Sequence, residues 1–481
     1  MSTPDDVEAL VPAEVLPDRR SESPTMTSSV EVKVYKRRWW ILFLFAGTGF
    51  MQCAVWNTWG PIVESVKVAY PNWDNGEVAL LSMWGTITML TGLIPMTILL
   101  QTKGLRISLI LTVFMMAMGT AVRCFTTEEY SFTILAHIGA VLNGFAGIII
   151  GAAPSLVSSR WFPPNERTTA TAIGCTFNQL GNAGGFFLGP LLVQMPSNIS
   201  NSTFGPDFDD DEVERLRRNI SDYMWITAGV CISLFIGTVA YFPERPNRPP
   251  SLTSFIHANP RPLGEDIRDL LGNKNLWMLV IPYSITLGIN VAWSSVLDIN
   301  LELLIDQNEA SYMGVYVTLG GVVMALLVSR FSDWLFGYLK LTIIALMVIA
   351  TCGFTWFLFI MNGCLPFSKT QLFISLIIGA SFNYACSPLF FELAVELAYP
   401  VTEGVVGAFL AMCWNVVAAI FLLTIQTGLV NGVLWMDYLL AVQGLVVVVM
   451  MVLVREEYRR TSVDKVNPTP DDTSQLHHQE V

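Results

Sequence analysis

Charge is scarce in this 481-residue sequence: Asp, Glu, Lys and Arg make up 14% of it, against 53% hydrophobic residues. A soluble chain of this length exposes far more ionised surface, so a water-soluble globular fold is excluded. Histidine is scarce too, with four residues, two of them the adjacent His477 and His478. No His-Glu-x-x-His run, CxxC pair or Cys/His cluster occurs. That removes the zinc, redox and metalloprotease chemistries that depend on such spacing, and no cofactor or metal is implied. A membrane enzyme would cluster catalytic residues at one face; none cluster here, so no enzymatic activity is expected. The eight cysteines stand singly, mostly in apolar runs, as do Cys53, Cys175, Cys231, Cys386 and Cys413. They read as small apolar residues. There is no basic stripe for nucleic acid. The net charge of −12 gathers in an N-terminal tail (Asp5, Asp6, Glu8, Glu14) and in a run from Asp207 to Glu214. Such blocks are solvated segments. The first 38 residues are polar and the first apolar run is longer than a signal core, so a cleavable signal peptide is not expected.

What the sequence has is long apolar runs. A bilayer core needs about 20 apolar residues per helical span, and breaking the runs at charged and Pro/Gly/Asn clusters gives twelve: 39–63, 78–100, 107–122, 133–159, 168–194, 223–242, 275–297, 311–329, 340–361, 371–391, 405–427 and 434–454. Lys33, Lys36, Arg37 and Arg38 precede the first span and place the N-terminus in the cytosol. With twelve spans, 21 of the 27 Lys and Arg fall on the cytosolic side. The six exceptions are Lys67, Arg123, Arg215, Arg217, Arg218 and Lys369. An error of one span would scramble that asymmetry, so both termini are read as cytosolic. Three glycosylation sequons, at Asn198, Asn201 and Asn219, fall in the non-cytosolic loop between spans five and six. The fold class expected is an all-α membrane protein, twelve transmembrane helices in two six-helix halves. The domains follow: a disordered tail at 1–38, halves at 39–242 and 275–454, a cytosolic linker at 243–274 and a disordered tail at 455–481. Paired six-helix halves are a recurring plan of secondary transporters.

Several strings carry a resemblance: Val34-Tyr-Lys-Arg-Arg-Trp39, Trp56-Asn-Thr-Trp-Gly-Pro61, Arg160-Trp-Phe162, Glu166-Arg-Thr-Thr-Ala-Thr-Ala172, Phe390-Phe-Glu-Leu393 and Tyr399-Pro-Val-Thr-Glu-Gly404. On these the chain resembles the major facilitator superfamily and, more narrowly, solute carrier family 49, the feline leukaemia virus subgroup C receptor-related proteins. Trp56 to Pro61 and Trp293-Ser-Ser-Val-Leu-Asp298 look most like the disrupted in renal carcinoma 2 branch. Asn178-Gln-Leu-Gly181 looks more like the choline-transporting branch. The superfamily's acid after span two is missing, since the segment reads Gln101-Thr-Lys-Gly-Leu-Arg106, whereas the second-half counterpart keeps Asp333.

Polar and aromatic residues inside spans are costly in lipid and tend to face the bundle interior. Trp56, Asn57, Gln179, Asn290, Trp293 and Asn415 are the candidate substrate contacts. By resemblance, Trp56, Gln179, Trp293 and Asn415 match positions that contact substrate in choline-carrying relatives. Aromatic faces hold a cationic or flat heteroaromatic solute, each contact worth about 0.5–2 kcal/mol, and carboxamides add donors and acceptors. The alternatives are an interfacial belt for the tryptophans and interhelical bonding for the amides. Arg106, Asp333, Glu392 and Glu396 are candidate gating residues. His137, Glu64 and Asp298 are the candidates for proton coupling. In the tail, Asp6-Val-Glu-Ala-Leu10-Val11 approaches an acidic dileucine address read by sorting adaptors.

The resemblance implies a transporter with a small-molecule substrate, a vitamin B6-type pyridine or a choline-like amine, moved by alternating access as a uniporter or proton symporter. Haem, and a receptor or scaffold without transport, are the alternatives. The expected setting is a glycosylated monomer in the lysosomal membrane, with the plasma membrane as the alternative and no nucleic-acid partner.

Overall fold

In a computed structural model, residues 33–193, 210–251, 253, 261–294, 301, 307–334, 337–426 and 434–465 are described. Every regular element among them is helical. Ten helical runs are long and apolar enough to cross a membrane. One, Gly76–Cys124, is two spans, because the chain breaks at Gly104 with φ 81° and ψ 179°. Only glycine enters that region cheaply, and a Cβ there would also meet the Glu244 carboxylate at 2.6 Å. Span five, Arg167–Leu192, has 26 residues, enough to cross, but its Thr, Asn, Gln and Gly content keeps it out of the apolar set. The total is twelve.

Spans one to six pack as one half and spans seven to twelve as the other. In the first half Arg38–Trp56 lies on span five, and spans two and three pack on Glu129–Ala152 and Asp210–Ala240. In the second, Lys274–Ser294 packs on Glu403–Gln426 and Leu434–Leu453. There Gln307–Trp334 and Leu339–Met361 both pack on Lys369–Ala398. Side chains such as Leu90, Ile94, Leu327 and Leu445 are exposed and suit acyl chains. Between the halves, span five meets span eight, and span eleven meets spans two and four. The face that carries residues 33–38 and 455–465 is called the terminal face below, and its opposite the far face.

Three boundaries differ from the sequence expectation. Span one stops at Trp56 rather than 63, because Asn57 Nδ2 bonds the Cys53 carbonyl (3.1 Å) and the Thr58 hydroxyl bonds that of Val55 (2.8 Å). These side chains take over the orphan carbonyls, and Pro61 opens a 3-10 turn beyond. Trp56 and Trp59 therefore do not share one helical face. Span six begins at Asp210 rather than 223, and its 31 residues run about 46 Å, beyond a bilayer core. Asn219 thus sits on a helix, partly exposed, and not in a loop. Asn198, Asn201, Asp298, Asp6, Leu10 and Val11 lie outside the described residues, as does the Glu64 side chain. Finally, residues 455–465 are not a disordered tail: Arg459–Lys465 is a short helix with Arg460 only 3% exposed.

Candidate functional site

At the terminal face the halves are joined by buried polar contacts. Asp333, at the end of span eight, accepts from the backbone amides of Thr168 (3.0 Å) and Thr169 (2.8 Å) and from the Thr169 hydroxyl. Those amides are the orphan donors of span five, so an acid from one half caps a helix of the other. A carboxylate at a helix N-terminus also meets the positive end of the dipole.

The position of the missing acid is filled from elsewhere. Gln101 donates to Asp266 (3.0 Å) and to the Arg261 carbonyl (2.8 Å). Asp266 belongs to the linker helix Leu263–Gly272, is fully buried, and faces the Thr402 amide before span eleven at 3.4 Å. The acid absent at Gln101 is thus supplied by the linker. The two halves repeat one device: an acid at the start of span five and another at the start of span eleven.

Glu392 and Glu396 lie one turn apart on span ten, 2% and 3% exposed. Arg460 of the C-terminal helix bridges them, at 2.7 Å to Glu392 and 3.2 Å to Glu396. Glu392 also accepts from the Thr171 hydroxyl of span five, which carries the link to the first half. On the other half the charges are inverted: Arg160 pairs with Glu244, and Glu244 accepts from the amides of Leu105 (2.9 Å) and Arg106 (2.6 Å). Burial pulls the Arg160 pKa below its ordinary value. Arg106, expected to gate through its charge, contributes its backbone amide, while its side chain is exposed. Asp333→Asn should weaken the span-five cap by about 1 kcal/mol. Labelling of Cys175 by an impermeant maleimide from the terminal face should then rise roughly fivefold, in a chain whose other cysteines are serine. An unchanged rate would show that the cap does not hold this gate.

The six substrate candidates do not converge on one space. A small cavity lies between the halves, lined by Cys175, Thr176 and Gln179 of span five, Thr318 and Val322 of span eight, and Tyr384 and Ser387 of span ten. Among the described residues the Gln179 carboxamide makes no hydrogen bond, so its donors and acceptor are available. Trp56 turns into the first half instead. Its ring covers Gly85, where a Cβ would lie 2.0 Å from it, and it lines a second pocket with Trp59, Arg123 and Asn143. Asn57 is engaged with Cys53, and Asn290 and Asn415 bond carbonyls one turn back, at Thr286 (3.2 Å) and Ala411 (2.8 Å).

Trp293 is a correction. It is 5% exposed, packs edge-on against Phe357 at 5.6 Å, and donates from its indole to Asp437 at 3.1 Å. It anchors span seven to spans nine and twelve and reaches neither pocket. The sequence reading passed over Asp437 although an acid inside an apolar run was its signal. Buried polar bonding also joins spans one, four and five: Asn143 donates to the Gln52 carbonyl (3.0 Å), and Asn178 to the Gly49 carbonyl (2.9 Å) and Gln52 (3.2 Å).

Near the far ends of spans two and four, the Trp84 indole donates to His137 Nδ1 at 2.9 Å, and His137 Nε2 lies 2.6 Å from Glu77. An indole N–H can only donate, so Nδ1 holds its lone pair and the ring hydrogen sits on Nε2, facing the carboxylate. Protonating Nδ1 would break the Trp84 bond.

Comparison with known proteins places this architecture. The model of the Major Facilitator Superfamily matches residues 44–422. A solute carrier family 49 member 4 homolog of Xenopus tropicalis is 36% identical over 442 residues, covering 90% of this chain and 94% of that protein. A choline/ethanolamine transporter, flvcr2a of Danio rerio, is 28% identical over 474 residues, covering 94% and 93%. Among solved structures, a double tryptophan mutant of XylE superposes with a TM-score of 0.65 at 13% identity, covering 91% of this chain and 100% of that one. FucP in its outward conformation gives 0.63 at 14%, covering 86% and 98%. At such identities the structures bear on the fold alone. The chain is a multi-pass transporter that belongs to the major facilitator superfamily and, within it, to solute carrier family 49.

Proposed function

We propose that the chain carries a small organic solute, a vitamin B6-type pyridine or a choline-like amine, across the lysosomal membrane by alternating access of its two halves. The observation that carries this reading is the cavity between the halves. It is lined by the free carboxamide of Gln179 and the ring of Tyr384, and the halves are latched at the terminal face beneath it. Trp56 adds an aromatic face to the adjoining first-half pocket. That a relative of this chain is a choline/ethanolamine transporter supports an amine. Haem is less suited, since neither pocket is lined by histidine.

The same reading makes the terminal face cytosolic, from its surplus of Lys and Arg. It gives Asn198, Asn201 and Asn219 to the lumen as glycosylation sites and the Leu10-Val11 tail to sorting adaptors. Glu392, Glu396 and Asp333 are gating residues, and the unit is a monomer. His137, whose Nε2 lies 2.6 Å from Glu77, is with it the proton-coupling pair.

With Leu10 and Val11 replaced by Ala, the chain should reach the plasma membrane and take up radiolabelled pyridoxine or choline. Uptake that rises from pH 7.4 to pH 5 and flattens in His137→Gln supports coupling. Trp56→Ala should cut uptake about tenfold at unchanged surface abundance, the size of one aromatic contact. If neither solute moves although the protein is at the surface, the substrate class is wrong.

A further inference from the structure

The short helix Arg459–Lys465 opens with Arg459-Arg-Thr-Ser-Val463. Its residues divide between two sides. Arg460, Thr461 and Val463 are buried, whereas Ser462 is exposed and the Arg459 side chain is 41% exposed. The Ser462 hydroxyl makes one local bond, to the Tyr458 carbonyl at 2.6 Å. Arg459 pairs at 2.7 Å with Glu457, which belongs to the same segment. Two guanidiniums, two and three residues before a hydroxyl, form a charge pattern that the acidic substrate cleft of a basophilic protein kinase selects.

One of those two guanidiniums is already occupied. Arg460 sits between Glu392 and Glu396 of span ten, and Glu392 also holds Thr171 of the first half. A kinase can therefore grip both arginines only when the segment has left its seat. Seven residues are too few to hold a helix unaided, so the released segment becomes extended and fits a cleft. A phosphate on Ser462 then opposes the return. It brings a charge of about −1.5 to −2 and three acceptor oxygens, and both flanking arginines can turn to it in the released segment. The seat it would return to is acidic, with Glu392 and Glu396 on span ten, Glu403 opening span eleven, and Glu456 and Glu457 just before the helix. Lys340, the base beside it, is held by the Val452 and Val454 carbonyls.

We infer that Ser462 is a phosphorylation site for a basophilic protein kinase, open to it when the C-terminal helix leaves span ten, and that its phosphate keeps the helix away and loosens the terminal-face latch. In the reaction the Ser462 oxygen bonds to the γ-phosphorus of a nucleoside triphosphate held by the kinase. The bond from that phosphorus to the β–γ bridging oxygen breaks, and the nucleoside diphosphate leaves with the electron pair. The hydroxyl proton passes to the kinase's carboxylate base. The site depends on the cytosolic placement of the terminal face proposed above, since the kinase and its triphosphate are cytosolic.

The test uses the purified full chain in lipid nanodiscs, with γ-labelled ATP and the catalytic subunit of cyclic-AMP-dependent protein kinase as the probe. Label should appear on Ser462, mapped by mass spectrometry, and be absent there in Ser462→Ala. Arg459→Gln leaves Arg460 in its seat and should slow labelling about tenfold, the size of one charged contact to the kinase. Glu392→Gln with Glu396→Gln frees the helix and should speed it about fivefold, because opening then limits access less. Cys175, the sole cysteine in a chain whose others are serine, should react with impermeant maleimide about threefold faster after phosphorylation, and at an unchanged rate in kinase-treated Ser462→Ala. A wild-type chain that takes no label on Ser462, whether or not the double Gln chain does, would overturn the site. Label on Ser462 with an unchanged Cys175 rate would overturn its action on the latch. Sidedness is read separately, from a C-terminal epitope on chains at the plasma membrane. An epitope stained in intact cells would fail the cytosolic reading and the site with it; an unlabelled Ser462 beside an epitope stained only after permeabilisation would fail the site alone.

Discussion

Arg460→Ala should be the most destabilising single change on the terminal face. The guanidinium is almost wholly buried between Glu392 and Glu396. Burial alone would lower its pKa, but Glu396 and Glu392 outweigh that and hold it above the ordinary arginine value, so it stays charged throughout. Thr461 completes the site, giving its amide (3.1 Å) and hydroxyl (2.7 Å) to Glu396. Removing the cation leaves two carboxylates facing each other in a dry pocket, and breaking a buried pair in this way costs about 3–5 kcal/mol. The measurement is thermal unfolding in detergent, read by tryptophan fluorescence. Adding Glu392→Gln and Glu396→Gln to an Arg460→Met chain should recover most of the loss, because replacing every partner of a buried ionic cluster is much milder than removing one. A midpoint indistinguishable from wild type in Arg460→Ala would show that water reaches these carboxylates.

Gly407→Val should abolish transport while leaving the protein folded. Gly407 of span eleven approaches the carbonyl of Ala152, at the end of span four, so closely that a Cβ would lie 2.0 Å from the oxygen. Backbone cannot yield that much, so the halves must part on the terminal face. Leu100, 3% exposed and packed near Gly404, reports the change. A Leu100→Cys chain should resist impermeant maleimide, and the Gly407→Val background should make it reactive. Uptake should fall at least tenfold, since a molecule that cannot close one face cannot complete alternation. Wild-type uptake in this variant would mean that the contact is not used in the cycle.

The spans were legible because hydropathy and charge placement are local. Span five was read at 168–194 and runs over Arg167–Leu192, although its polar residues put it outside a purely apolar criterion. Contacts that close over long sequence distances were not legible. Nothing near Gln101 announces that Asp266 will stand beside it, and nothing in Arg459–Lys465 announces a buried arginine. Trp293 illustrates the ambiguity of an aromatic in a span: the same residue type suits a pocket or a core, and its choice depended on Asp437, 144 positions later. Arg123 was counted for topology, where one charge is as good as another; its orientation is a property of packing.

The paired helix caps at the terminal face bear on how strongly the molecule prefers that face shut. Asp333 and Asp266 close against amides that would simply turn to water if the halves separated, so each is worth about 1 kcal/mol rather than the energy of a sealed ion pair. Two such contacts bias the populations of closed and open forms by roughly thirtyfold. A solute that binds the open form about thirtyfold more tightly balances the two populations, and one that does so roughly nine-hundredfold reverses the ratio. The latch is therefore weak enough for its own cargo to tip, and strengthening either cap should slow the cycle.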